Sequence, residues 1–156
     1  LKPDDTIIAS QLSGDFILPK DKNKKLVFIA GGIGITPFRS MIKYLLDKNE
    51  KRNIILLYSN KTAADIAYKD IFDEAQKILG VKTVYTLTNL EKISPAWPGR
   101  RGMISEQIIK EEIPDYRERL FYISGPRGMV VAFQETLCKL GIQPKKIVID
   151  FFPGFA

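Results

Sequence analysis

Two stretches of this sequence have the residue types and spacing to hold an anion. The first is Ala30-Gly31-Gly32-Ile33-Gly34-Ile35-Thr36-Pro37-Phe38. Its glycines let backbone N–H groups approach a ligand with no Cβ in the way. Thr36 can cap a helix that starts here, and Pro37 suits the first helical position, where a missing N–H costs nothing. Such a helix aims an electropositive N-terminus at an anion, and a pyrophosphate fits the span of the turn. Close packing of a strand against a helix asks for the same glycines, so one such turn does not decide between the two uses. The second stretch, Ser124-Gly125-Pro126-Arg127-Gly128-Met129, repeats the chemistry far downstream.

Composition removes most other chemistry. His is absent, which excludes Ser-His-Asp triads and His-based metal sites. The single cysteine, Cys138, excludes an internal disulfide framework, a cysteine-type zinc site and an iron–sulfur cluster held by this chain alone. No metal site is expected. The net charge of +6 arises from 24 basic residues interspersed with 18 acidic ones, and only Lys20–Lys25 and Arg100-Arg101 cluster, so nucleic acid is not an expected partner. No apolar run approaches the length of a membrane-spanning helix and the opening residues do not read as a secretion signal. The expectation is no direct membrane insertion and a cytoplasmic location, including the cytosolic portion of a larger membrane-associated protein. The opening Leu1-Lys2-Pro3-Asp4-Asp5 reads as mid-protein sequence.

The elements that position the two turns follow from periodicity. Leu26–Ala30 is a short apolar run, and Phe38, Met41, Ile42, Leu45 and Leu46 then recur at helical spacing, which predicts a buried strand and an amphipathic helix. The alternation continues. Ile54–Tyr58 precedes a stripe of Ile71, Phe72, Ala75, Ile78 and Leu79, Thr83–Leu87 precedes a shorter helix with Ile108 and Ile109, and Leu120–Ser124 precedes a helix with Val130, Phe133, Leu137 and Leu140. Lys146–Asp150 supplies a fifth strand after Gly141 and Pro144. Apolar strands alternating with helices predict an α/β domain with a doubly wound, five-stranded parallel sheet, and the order 3-2-1-4-5 comes from that fold class, since no sequence feature fixes it. In that order the first and fourth strands are neighbours, so both glycine turns line one crevice. Length and a 45% hydrophobic content suit one core. Residues 1–24 break the pattern: Ile7–Ala9 and Phe16–Leu18 read as short strands, the end of a preceding β domain, followed by a lysine-rich linker.

In chain order, Leu1–Asp5 with Gly14-Asp15-Phe16, Ile29–Pro37, Tyr58-Ser59-Asn60-Lys61 with Asp65 and Tyr68-Lys69-Asp70, Trp97–Gly102, Ser124-Gly125-Pro126 with Met129, and Phe151–Phe155 resemble the ferredoxin-NADP reductase superfamily. That superfamily includes cytochrome b5 reductase-like and ferric-reductase-like flavin oxidoreductases, and the resemblance covers essentially the whole chain. It implies a Rossmann-like domain over residues 25–156 that holds NAD(P)H, with residues 1–24 the remnant of an upstream flavin-binding barrel. It places the nicotinamide near Thr36 and Ser124, which would align the hydride path and carry no proton. Many relatives carry Cys where this chain has Ser124.

The resemblance further implies that Gly31, Gly32, Gly34, Pro37, Gly125, Pro126 and Met129 hold the cofactor, with Phe155 in an aromatic tail near the flavin. Ser59, Asn60 and Lys61 would approach the adenosine, Asp65 would accept from ribose hydroxyls, and Tyr68 would stack on adenine or flank a 2′-phosphate. Structural duties are open for the same residues: a helix cap for Thr36 and for Asp65, a solvated loop for Lys61, half-buried packing for Tyr68, a core position for Met129. Arg100 and Arg101 read as exposed residues or as contacts to phosphate or a partner. Asp65 and the uncharged Asn89 favour NADH over NADPH, while Lys61 and Tyr68 argue the other way. The Arg-x-Tyr-Ser/Thr stretch that holds flavin in relatives is missing, and Gly102-Met103-Ile104-Ser105 fits the second flavin pattern only by falling after the wrong strand. FAD is therefore expected in the parent protein and not on this chain, with the electron acceptor unassigned. A nucleotide-binding regulatory or interaction module without turnover, and a phosphate-binding module of the same fold class, are the competing readings.

Overall fold

A computed structural model describes residues 14–152 and Thr6. The expected strand at Ile7–Ala9 and the tail residue Phe155 lie outside the described residues, and of Phe152 only the backbone is described. Six parallel strands, β1 (Leu26–Gly31), β2 (Ile54–Asn60), β3 (Lys82–Leu87), β4 (Arg100–Arg101), β5 (Leu120–Pro126) and β6 (Ile147–Phe152), form one sheet in the order β4-β3-β2-β1-β5-β6. Among the described residues, four α-helices connect them: α1 (Thr36–Asp47), α2 (Lys69–Leu79), α3 (Glu106–Glu112) and α4 (Arg127–Lys139). The five strands read from apolar runs are β1, β2, β3, β5 and β6, in the anticipated order. The sixth, β4, is two charged residues pairing with Thr86 and Leu87 at the sheet edge, too short to leave a hydrophobic pattern.

The continuous apolar strands are explained by a core on each face. Leu26, Phe28 and Ala30 of β1 pack with Phe38, Ile42 and Leu45 of α1 and Phe72, Ala75 and Leu79 of α2. Val27 and Ile29, pointing the other way because successive strand residues alternate, pack with Ile108 and Ile109 of α3 and Val130, Phe133 and Leu137 of α4. Each of these side chains larger than alanine contributes about 1.5–3 kcal/mol on burial, which is why helices are held to both faces. Ile78, assigned to the buried stripe of α2, is 46% exposed: three apolar residues per two turns suffice to cover this face, and Ile78 lies at its margin.

Phe16–Leu18 forms no strand. Its apolar groups pack instead: the Phe16 ring lies 5.5 Å from Phe38 and 5.3 Å from Tyr122, whose hydroxyl donates to the Ile17 carbonyl at 2.9 Å. At the N-terminal end of the strands, buried Arg119 donates to the Leu26 carbonyl at 3.2 Å, to Asn53 Oδ1 at 2.8 Å and to Asp115 at 2.6 Å, tying β1 to the segment before β5. Those bonds, together with the Lys25–Asp115 ion pair at 3.0 Å, hold Asp115 well below the ordinary carboxylate range, at about 2. The opposite ends of the strands carry the glycine turns.

Candidate functional site

The sequence from β1 into α1 passes through one tight 3-10 turn, Gly32–Ile35, before the α-helix begins at Thr36. Thr36 is therefore the first helical residue, not the cap. Ile35 holds the cap position, no side chain caps the end, and Pro37 sits in the first turn, one place later than anticipated. The 3-10 turn has used the glycines to start the helical path early, which frees the Thr36 hydroxyl from capping duty. Thr36 is half-buried.

The two glycine turns meet. β1 and β5 are neighbours, with Ala30 opposite Ser124, and the Gly34 backbone lies so close to the second turn that a Cβ there would stand 2.3 Å from the Ser124 carbonyl oxygen and 2.6 Å from Gly125 Cα. Only glycine permits that approach. Gly31 and Gly125 make room for a different group. A Cβ on Gly31 would fall 2.2 Å from Met129 Sδ, and one on Gly125 would fall 2.5 Å from Met129 Cε. The thioether thus fills the notch between the turns. Gly32 alone of the four has open space around it, and it is exposed with φ +52°.

A cavity of about 490 Å³ opens at the C-terminal ends of the strands, where ligands of doubly wound sheets sit. The structure brings Gly31, Gly32, Ser59, Asn60, Lys61, Asp65, Pro126 and Met129 together on its walls, joined by Ile33, Tyr58, Ala67 and Thr88. Gly34, Gly125 and Ser124 are buried behind it, with Ser124 wholly enclosed and its hydroxyl without a partner among the described residues. Pro37 faces away, onto a second cleft it shares with Phe16 and Asp150. Tyr68 stands beside the cavity, next to Ala67, and does not line it.

The cavity wall after β2 is built by hydrogen bonds that consume backbone groups and leave side chains idle. The Asn60 carbonyl accepts from the Thr88 N–H at 2.9 Å, and the Lys61 carbonyl from the Asn89 N–H at 3.0 Å. The Asn60 side chain is only 5% exposed, yet neither Oδ1 nor Nδ2 has a hydrogen-bond partner among the described residues; it lies beside the Tyr58 hydroxyl without completing a bond to it. The Ala67 N–H reaches that hydroxyl at 3.3 Å, and burial raises the phenol's pKa, keeping it neutral. Asp65 receives the Thr62 hydroxyl at 2.8 Å and the Thr62 N–H at 2.9 Å, both on Oδ2. Those bonds, with Lys61 and Lys92 nearby, lower its pKa, so the carboxylate is charged, and Oδ1 is left for another donor. Asp65 closes a short turn in this way and caps no α-helix.

A buried amide with both polar atoms unpaired, on the wall of a crevice at the strand ends, fits a ligand rich in hydroxyls and phosphate oxygens. The residues after β3 serve other ends. Arg100 pairs with Glu112 at 2.5 Å and Glu111 at 2.9 Å, and Arg101 donates to the Ser94 and Pro95 carbonyls at 3.1 and 3.2 Å. Ser105, the false flavin match, caps α3 by accepting from the Ile108 N–H at 3.3 Å. Sequence reasoning assigned Tyr58 to a strand and did not consider Ile33 or Ala67 as wall residues. Periodicity carries no signal for where a strand residue's far end emerges.

Residues 28–135 match the oxidoreductase NAD-binding domain family. The flavohemoprotein of Bacillus subtilis is 32% identical over 154 residues, 97% of this chain and 38% of the relative. The NADPH nitrate reductase of Emericella nidulans is 35% identical over 125 residues, 76% of this chain and 14% of the relative. Among solved structures, the cytochrome b5 reductase domain of Ulva prolifera nitrate reductase superposes with a TM-score of 0.70 at 27% identity, covering 82% of this chain and 50% of that one. The chain spans well under half the length of these curated relatives. With the glycine turns meeting at one crevice and the family's profile running through both, the chain belongs to the oxidoreductase NAD-binding domain family.

Proposed function

We propose that the chain binds NADH in the cavity at the strand ends and presents its nicotinamide to a flavin held by a preceding barrel domain of a longer, cytoplasmic flavin oxidoreductase. The observation that carries this reading is the unpaired Asn60 amide on a wall shared by both glycine turns. The pyrophosphate lies against the exposed backbone of Gly32, the adenosine against Ser59, Asn60 and Lys61, and a ribose hydroxyl donates to Asp65 Oδ1. Thr36, half-buried and free of capping, contacts the nicotinamide end. Ser124, enclosed behind Gly34, supports that end through its carbonyl and its packing. The flavin, when present in the parent protein, accepts the hydride; this chain's residues bind, orient and exclude water.

NADH is preferred because a 2′-phosphate near the Asp65 carboxylate meets like charge, whereas a ribose hydroxyl gains a hydrogen bond. One such contact discriminates by about 1–3 kcal/mol, roughly ten- to a hundredfold. A second reading, NADPH, is favoured by Lys61 and Lys92, both close enough to Asp65 to lower its pKa. Calorimetric titration of each cofactor against the chain and an Asp65→Asn variant distinguishes them. The expected result is tighter NADH binding by the unaltered chain and a narrowed preference in the variant, through improved NADPH binding. Tighter NADPH binding by the unaltered chain overturns the preference, and binding of neither overturns the function.

A further inference from the structure

Arg39, on the first turn of α1, has no place in the sequence reading or in the cavity wall, yet it is a partly buried cation left unsatisfied on the element that follows the first glycine turn. Its Nε is buried without a hydrogen-bond partner, and it forms no ion pair among the described residues. Its guanidinium carbon lies 5.5 Å from the centre of the Tyr68 ring, across the gap between α1 and the start of α2. Tyr68 itself is strained. Its φ of +56° and ψ of +28° place a bulky residue in the left-handed region, which costs of order 1 kcal/mol or more in the absence of compensation. Tyr68 immediately follows Asp65, Ile66 and Ala67, and both Asp65 and Ala67 line the cavity. The left-handed residue is what turns the chain from that wall into α2, where the Ile71 and Phe72 N–H groups bond back to the Tyr68 carbonyl at 3.1 and 3.3 Å.

We propose that Arg39 is a positioning residue for the nucleotide: by stacking on the Tyr68 ring it locks the left-handed turn, and so sets the Asp65–Ala67 wall against the adenosine. This rests on the nucleotide reading above. Arg39 touches no ligand in this arrangement. The cation holds the face of the ring, the ring holds the backbone at an unfavourable φ, and the backbone holds Asp65 and Ala67 in place. Two bonds at the wall set the frame that the clamp completes: Ala67 N–H to the Tyr58 hydroxyl, and Thr62 to Asp65. A ligand half that does not reach this wall is indifferent to the clamp.

The test is a binding cycle on the full chain with three probes: NADH, ADP-ribose and nicotinamide mononucleotide. Arg39→Ala should weaken NADH and ADP-ribose by about three- to tenfold, the range of a partly buried cation–aromatic contact, and leave nicotinamide mononucleotide unchanged. Adding Tyr68→Gly should restore NADH and ADP-ribose affinity to within about twofold, because glycine adopts the left-handed turn without a clamp. Amide hydrogen exchange of residues 65–68 should speed up in Arg39→Ala and slow again in the double variant. Unchanged ADP-ribose affinity in Arg39→Ala overturns the proposal while NADH binding by the unaltered chain leaves the nucleotide reading standing. Loss without rescue by Tyr68→Gly also overturns it, since that outcome assigns Arg39 a direct contact with the ligand. Equal loss for all three probes reveals a general packing defect and overturns it as well. Absence of NADH binding by the unaltered chain removes the nucleotide reading and the clamp together.

Discussion

Replacing Asn60 by leucine should make the protein more stable and a worse binder. Asn60 is 5% exposed at the end of β2, its backbone already fixed through the Thr88 bond, and its amide oxygen and nitrogen both lack partners among the described residues. A buried polar group left unsatisfied costs about 1–3 kcal/mol, and an apolar side chain removes that cost while the adjoining cavity accommodates the extra volume. For a chain of this size each kcal/mol moves the melting midpoint by about 2–4 °C. Binding moves the opposite way. A ligand that donates to Oδ1 and accepts from Nδ2 loses both bonds and meets an apolar wall, which weakens it about tenfold or more. Thermal melts with and without NADH, and titration of NADH into both proteins, measure the two effects on the same samples. A variant that melts lower and binds NADH as well as the original would show that the amide is satisfied within the fold and takes no part in the site.

Two further outcomes follow from geometry at either end of the sheet. Gly34→Ala should destabilise by about 1–3 kcal/mol in denaturant titration, because the new Cβ meets the backbone at Ser124 and Gly125 and neither can swing aside; an unchanged midpoint would mean the turns are looser than the contact distances indicate. Asp115 titrates at about 2 in the folded chain against an ordinary value near 3.8, held down first by Arg119 and then by Lys25. A depressed carboxylate stabilises the fold above its unfolded pKa, and that contribution fades as pH falls from about 4 toward 2; its ceiling is about 2 kcal/mol, less where solvent screens the pair. Stability measured between pH 5 and 2 should fall more gently in Asp115→Asn, and parallel curves for the two proteins would refute the assignment.

The fold was legible wherever a residue's burial on both sides left an unbroken apolar run, as in Leu26–Ala30 and Leu120–Ile123, or where helix spacing repeated, as in Phe38, Met41, Ile42 and Leu45. It was illegible where structure rests on pairing alone. Arg100 and Arg101 join the sheet by backbone bonds at its edge, and their side chains answer to Glu111, Glu112 and loop carbonyls, so nothing in their type announces a strand. Phe16–Leu18 misled in the reverse sense, since apolar residues with β-propensity serve equally to cover a helix. At the site, glycines signalled close approach and it occurs, but sequence cannot name what approaches. At Gly34 it is the Ser124 carbonyl, and at Gly31 and Gly125 it is Met129. Arg39 stayed hidden because a charged residue on a surface helix is ordinary; its partner, Tyr68, sits far along the chain and in a backbone conformation no residue type predicts.

The notch filled by Met129 bears on how this site can change by mutation. A methyl group at Gly31 or at Gly125 collides with one flexible side chain, whereas a methyl group at Gly34 collides with backbone. Met129→Ala is therefore an intragenic suppressor for the lesion at Gly31 and not for the one at Gly34. Alanine becomes tolerable at Gly31 once position 129 has shrunk, in that order of events, whereas at Gly125 the φ of +159° strains any side chain and at Gly34 no neighbouring substitution makes room. A lineage drifting through this domain has a reversible path at one of these glycines and a closed door at the other two.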